Sequence, residues 1–234
     1  MIPIRDENPT RTFPALTLAV IAVNVLVFAY QLSLPPRLAQ ELTLRRGLVP
    51  GFITGLPELG PPALVPGAAS FLTSMFMHGD AVHLLGNMWF LWIFGNNVED
   101  ALGHVRFAFF YVGSGLAAAL AQIAATPSSM VPMIGASGAI AGVLGAYLIL
   151  FPRARILTLV PFIFVYLIRL PAFIVLGIWF LFQVLHSMMA ASTLRGGVAW
   201  FAHIGGFTAG MILVLVLVPR RPHPSRPAAA PPWV

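Results

Sequence analysis

Residues 134–151 read IGASGAIAGVLGAYLILF, an apolar run whose only polar side-chain groups are the hydroxyls of Ser137 and Tyr147. Pro152, Arg153 and Arg155 close it. Ser137 to Phe151 therefore reads as a membrane-spanning helix, stopped by proline and charge. A polar group at that depth is costly and usually marks function. The glycines at 135, 138, 142 and 145 carry a second reading, because small residues let membrane helices approach closely. One run thus holds a candidate reacting group and a candidate packing seam. A second such intrusion is His203, inside the apolar stretch Val198 to Val218.

Composition agrees with a membrane setting. Of 234 residues 59% are hydrophobic and 9% charged, whereas a soluble domain carries roughly 25% charged residues. All thirteen basic residues are arginine, so a Schiff-base lysine pump is excluded. With no cysteine, disulfides, thiolate nucleophiles and Cys-ligated zinc are excluded as well. The formal charge of +6 is read as arginines flanking spans, not as a nucleic-acid surface.

Six spans are expected, with 13–218 as the membrane domain. They are Phe13–Leu34, Val82–Val98 (ended by Glu99 and Asp100), Val105–Ala125, Ser137–Phe151, Pro171–Ala191 and Val198–Val218. The polar segment 1–12 precedes them and shows no secretory signal. The Pro/Arg-rich tail 219–234 is expected to be disordered. The first loop, Pro35–Ala81, is too interrupted to span and too apolar for a solvated linker, so it should lie partly in the interface. Ile156–Leu170 is read as an interfacial or re-entrant lead-in to the fifth span, with two full spans over Ile156–Ala191 as the alternative. The class is an all-α polytopic membrane protein. With the N-terminus inside, nine arginines fall on the cytoplasmic side and four outside, a vote for both termini being cytoplasmic.

Spans two, four and six then run in one direction, and depth can be counted back from their inner ends. Ser137 lies fourteen residues before Phe151, His203 fifteen before Val218, and His83 fifteen before Val98. At a 1.5 Å rise each sits roughly 21–23 Å above the inner boundary. All three share one level, roughly 8 Å below the outer surface of a core about 30 Å thick. Asn87 is one turn deeper than His83 on the same face. A serine needs a base to take its proton, and histidine does so near neutral pH. Acyl transfer also needs oxyanion donors, which the Asn87 amide, the His83 ring and the free N–H groups at the Ser137 helix start could supply. No carboxylate is placed to orient His203, so a dyad is expected. Gln122, Gln183 and His186 are read as interhelical hydrogen-bonding groups, His78 and His104 as interfacial, and Gly206–Gly210 as packing. His78 and His83 lack a third partner at metal-ligand spacing.

Four motifs in order carry a family resemblance: Met77-His78-Gly79-Asp80, His83-Leu84-Leu85-Gly86-Asn87-Met88, Gly135-Ala136-Ser137-Gly138 and Ala202-His203-Ile204-Gly205-Gly206. Together they resemble the rhomboid intramembrane serine proteases, over about Phe71 to Val218. The resemblance implies a six-helix rhomboid bundle, Ser137 as nucleophile and His203 as general base. It makes His83, Asn87 and the Ser137 backbone N–H the oxyanion hole. It also implies single-span membrane proteins as substrates, the lipid bilayer as surroundings, a bacterial cytoplasmic (inner) membrane, and no cofactor, metal or nucleic acid. The fifth span and the Ser192–Trp200 loop resemble that family's gate and cap. Two positions depart from the pattern. Ala69-Ser70 stand where Trp-Arg is common, and Ala141 stands where an aromatic often stacks on the histidine. Either another aromatic holds His203 or its ring is held more loosely. The rival readings are a rhomboid-like protein that binds membrane clients without cutting, and a small transporter. A transporter would spread polar groups along a path, often with inverted repeats. A metalloprotease HExxH is absent, and Asp80 and Asp100, at opposite ends of span two, form no aspartyl dyad.

Overall fold

The computed structural model describes residues 1–55, 67–161, 165–192 and 199–219. The apolar run Ala63–Val65, most of the Ser192–Trp200 loop and the tail beyond Pro219 lie outside these residues. Strand β1 (Ile2–Asp6) is followed by helix α1 (Ala15–Ser33) and three short helices, α2 (Pro36–Arg46), α3 (Pro50–Ile53) and α4 (Ser70–Thr73). Then come α5 (Ala81–Leu102), α6 (His104–Ala125), α7 (Ser137–Leu150), strands β2 (Arg155–Pro161) and β3 (Val165–Pro171), and helices α8 (Ala172–Ser192) and α9 (Trp200–Leu217). Among the described residues four helices, α1, α6, α8 and α9, are long and apolar enough to cross a membrane, and α7 is a shorter apolar helix. The chain is an integral membrane protein of mostly helical build.

Helix α7 is the central element. Every residue from Gly138 to Tyr147 is buried, as expected for a helix that is apolar all round. Its glycines set how closely α9 approaches. A Cβ on Gly206 would strike the Gly138 carbonyl oxygen, one on Gly210 the Gly142 carbonyl, and one on Gly145 the Phe207 carbonyl. The two backbones touch, so the elements bearing Ser137 and His203 lie as near as two helices can.

Helix α5 runs through Glu99 and Asp100 to Leu102 instead of ending at them. Glu99 is fully buried. Its carboxylate accepts from Leu16 N (2.9 Å), Thr17 N (2.7 Å) and Thr17 Oγ1 (2.6 Å), and lies 2.6 Å from His104 Nδ1. These are the orphan amides of α1, which a carboxylate satisfies well at the positive end of the helix. Asp100 accepts from Thr12 N and Oγ1.

The all-α expectation is corrected by a three-stranded antiparallel sheet, β1-β2-β3. Where the lead-in to the fifth span is expected, β2 and β3 pair with Leu157 opposite Arg169. These seven-residue strands do not supply the additional span of the two-span alternative over Ile156–Ala191, since even a membrane strand needs about 9–11 residues. The polar segment 1–12 supplies the outer strand, pairing Ile2 with Leu159 and Asp6 with Ile156. Asp6 Oδ2 accepts from Tyr147 of α7 (2.8 Å) and Asn97 of α5 (2.7 Å). Burial pushes its carboxyl up to about 6. Trp89 donates to the Pro3 carbonyl at 2.7 Å, and Glu7 pairs with Arg169 at 2.6 Å.

The described part of the first loop packs on the bundle. Leu48 and Met133 form a bridge, Gly51 N donates to Ser129 O, and Thr73 Oγ1 donates to Arg46 O at 2.7 Å. The Thr73 hydroxyl thus ties α4 to the end of α2 where Ala69-Ser70 replace the common pair.

Candidate active site

Ser137 is the first residue of α7, after a turn fixed from outside. Gly135 N donates to Ser74 O at 2.9 Å, and Gly135 has φ +126°, a region that favours glycine. Above this turn lies His83. A Cβ at position 135 would come within 2.8 Å of the His83 ring and 3.6 Å of Asn87 Nδ2. Glycine thus leaves room for both side chains at the residue two before the serine. Helix α5 positions them. Asp80 caps it by accepting from His83 N at 2.8 Å, and the 83/87 spacing puts the imidazole and the amide on one face.

Ser137 Oγ lies 2.8 Å from His203 Nε2, the ring carried one turn into α9. His203 is 9% exposed and Asn87 8%, while Ser137 is half-buried. The glycine seam therefore delivers two side chains from separate helices to hydrogen-bond distance. His83 and Asn87 gather over the turn that leads into Ser137.

Three features of the surroundings correct or sharpen the reading of the sequence. His78, expected at the interface, is 1% exposed. Gln31 of α1 grips its backbone twice, with both bonds at 3.1 Å. Asn87 Nδ2 donates to His78 Nε2 at 2.8 Å. Burial pulls the His78 imidazole down to about 4, so the ring is neutral and able to accept. That bond uses one amide hydrogen of Asn87 and leaves the second available. Next, Gln183 of α8 lies 2.8 Å from His203 Nδ1 through its Oε1. The only sequence signal was a polar residue in an apolar helix. Last, the aromatic lacking at Ala141 comes from elsewhere. Trp179 of α8 lies 6.1 Å from the His203 ring at 41°, and Trp200 meets it edge-on at 6.1 Å. His186 stacks on Trp200 at 4.7 Å. Gln122 of α6 accepts from Ala202 N at 3.2 Å, as an interhelical group should. His104 is half-exposed and paired with Glu99.

Residues 67–220 match the family model of the Rhomboid domain. The chain belongs to the rhomboid family. It is 30% identical over 204 residues to "Rhomboid protein 1, mitochondrial" of Saccharomyces cerevisiae, covering 84% of this chain and 51% of the yeast protein. It is 33% identical over 158 residues to "RHOMBOID-like protein 4" of Arabidopsis thaliana, covering 65% of this chain and 34% of that one. To the human "Presenilin-associated rhomboid-like protein, mitochondrial" it is 29% identical over 139 residues, 58% of this chain and 33% of the human protein. The chain thus spans between a third and a half of the length of these rhomboid relatives. Its four motifs all fall inside the matched rhomboid domain.

Proposed function

We propose that this rhomboid is an intramembrane serine endopeptidase working through a Ser137–His203 dyad. The observation that carries the reading is the 2.8 Å contact between Ser137 Oγ and His203 Nε2 on adjoining helices. His203 Nε2 takes the hydroxyl proton as Oγ attacks a substrate carbonyl carbon. The carbonyl oxygen becomes an oxyanion. It is received by His83, by the free amide hydrogen of Asn87 and by the Ser137 backbone N–H, donors fixed in place before charge develops. The imidazolium then gives its proton to the departing amine, leaving an acyl-Ser137 that water hydrolyses with His203 again as base. No cofactor or metal enters.

The substrates proposed are single-span membrane proteins, cut where small residues loosen the helix so that a carbonyl can reach Oγ. The site lies beneath the outer leaflet of a bacterial cytoplasmic membrane, with both termini cytoplasmic, as the arginine distribution favours. The six helices α1 and α5–α9 form the protease domain within residues 13–218.

A fluorophosphonate probe is the direct test. It should label Ser137 of the full chain in detergent, and both labelling and cleavage of a single-span substrate should vanish in Ser137→Ala and His203→Ala. Wild-type protein that neither reacts nor cleaves would favour client binding without catalysis. Cleavage that persists in either variant would refute the dyad.

A further inference from the structure

We infer that Gln183 of α8 is the positioning residue of the dyad, holding the His203 ring in the one tautomer that can serve as a base; this rests on the protease reading above. The side-chain amide of Gln183 bridges two groups. Its Nε2 lies 3.3 Å from the Trp179 carbonyl oxygen, and its Oε1 lies 2.8 Å from His203 Nδ1. A backbone carbonyl can only accept. The amide must therefore turn its NH2 to Trp179, since the flipped orientation would set two oxygens against each other. That leaves Oε1, also only an acceptor, facing Nδ1. Nδ1 must then carry the ring hydrogen, and in a neutral imidazole the lone pair falls on Nε2. Nε2 is the nitrogen 2.8 Å from Ser137 Oγ. A chain of donor and acceptor roles thus runs from the α8 backbone to the serine hydroxyl, with each step forced by the one before.

The setting supports the same assignment. Gln183 is 7% exposed and His203 9%, so bulk water does not freely replace the bond. Trp179, one turn before Gln183 on α8, and Trp200 flank the ring and limit its rotation. Among the described residues, the groups facing the His203 ring are Gln183, Ser137, Trp179 and Trp200, and the titratable His83 of α5 lies within electrostatic reach of it. The orienting oxygen is therefore an amide, where a triad would use a carboxylate. An amide fixes the tautomer without adding negative charge to the bundle. It also makes base competence depend on where α8 stands.

The test compares Gln183→Met and Gln183→Glu with wild type in the full-length protein, following cleavage of a fluorogenic single-span substrate across pH. Methionine keeps length and bulk but accepts poorly. It should lower kcat by about 10- to 100-fold, the scale of a lost orienting partner, with KM changed less than about twofold. Glutamate keeps an oxygen acceptor toward Nδ1 but loses the bond to the Trp179 carbonyl, so it should recover part of kcat. Its carboxylate would also stabilise the imidazolium and move the acidic limb of the kcat profile to higher pH by about one unit or more. A residue that merely packs would move neither the limb nor the split between kcat and KM. Gln183→Met with kcat within about threefold of wild type overturns the inference. So does a Gln183→Glu profile that superimposes on wild type, which remains readable even if the methionine variant does not fold. Wild-type protein that fails to cleave and fails to take the fluorophosphonate removes the protease reading, and this inference falls with it. An active wild type with indifferent Gln183 variants removes this inference alone.

Discussion

Adding one methyl group at Gly206 should abolish most of the proposed cleavage from outside the reacting groups. Gly206 sits one turn after His203 on α9 and faces Gly138, the neighbour of Ser137. The alanine Cβ would lie 3.0 Å from the Gly138 carbonyl carbon and 3.3 Å from Ala118 Cβ, and it would strike the Gly138 oxygen directly. Carbon atoms rest at about 3.5–4.0 Å, and these neighbours are backbone atoms and a methyl group, with no flexible side chain to swing aside. The helices must part by about 1 Å. Carried to the site, that stretches the 2.8 Å Ser137–His203 contact to about 3.8 Å, past hydrogen-bond range. A 1 Å misplacement costs about 10²-fold in rate, and overpacking of this kind destabilises by about 1–3 kcal/mol. Gly206→Ala should therefore cut kcat about 100-fold in purified protein and lower the melting temperature. The matched control is Gly177→Ala on α8, where nothing lies within 4 Å of the added atom. It should cleave like wild type and melt no lower, because alanine favours a helix over glycine. Wild-type kcat and melting in Gly206→Ala would refute the claim that the glycine seam sets the distance between serine and histidine.

Three further outcomes are expected. Asn87→Ala should lower kcat about 10²- to 10³-fold, the scale of one lost oxyanion donor; a loss as complete as that of Ser137→Ala would point to a structural role. The raised Asp6 carboxyl gives a pH signature of definite sign. The folded state keeps its proton up to about 6 while the unfolded chain releases it near the ordinary 3.8, so stability falls as pH rises between about 4 and 6 and then levels. Thermal unfolding across that window should show the decline in wild type and a flatter curve in Asp6→Asn; parallel curves would contradict it. Glu99→Ala strands two α1 amides and the Thr17 hydroxyl without their acceptor, which should destabilise by about 3–5 kcal/mol. An unchanged melting temperature would contradict the capping account.

Ser137 and His203 were legible because each is a polar group inside an apolar run, an anomaly that hydropathy alone exposes. The count that set Ser137, His203 and His83 at one level used helical rise and charged boundaries, and the boundary used for His83 does not hold, since α5 runs through Glu99 to Leu102. What the sequence concealed depends on pairing between distant segments. Strands β2 and β3 are mostly apolar on both faces, so they lack the two-residue alternation that announces a half-buried strand and imitate a membrane segment. Their partner, Ile2–Asp6, looks like an unremarkable polar start, and nothing local says that it pairs with residues about 150 positions away. Glu99 reads as a boundary charge because its task, capping another helix, appears only once α1 is alongside. His78 looks interfacial from its place ahead of a span, yet Gln31 and Asn87 enclose it. Gln183 reads as an interhelical hydrogen-bonding group, but which ring nitrogen it meets needed the position of His203.

The β1–β2 ladder sets an order of events during synthesis. Residues 2–6 leave the ribosome long before residues 155–161 exist, so their ladder stays unpaired while α1, α5, α6 and α7 are threaded into the bilayer. Closing the sheet therefore waits until these four helices have been made, and of the helices only α8 and α9 need follow it.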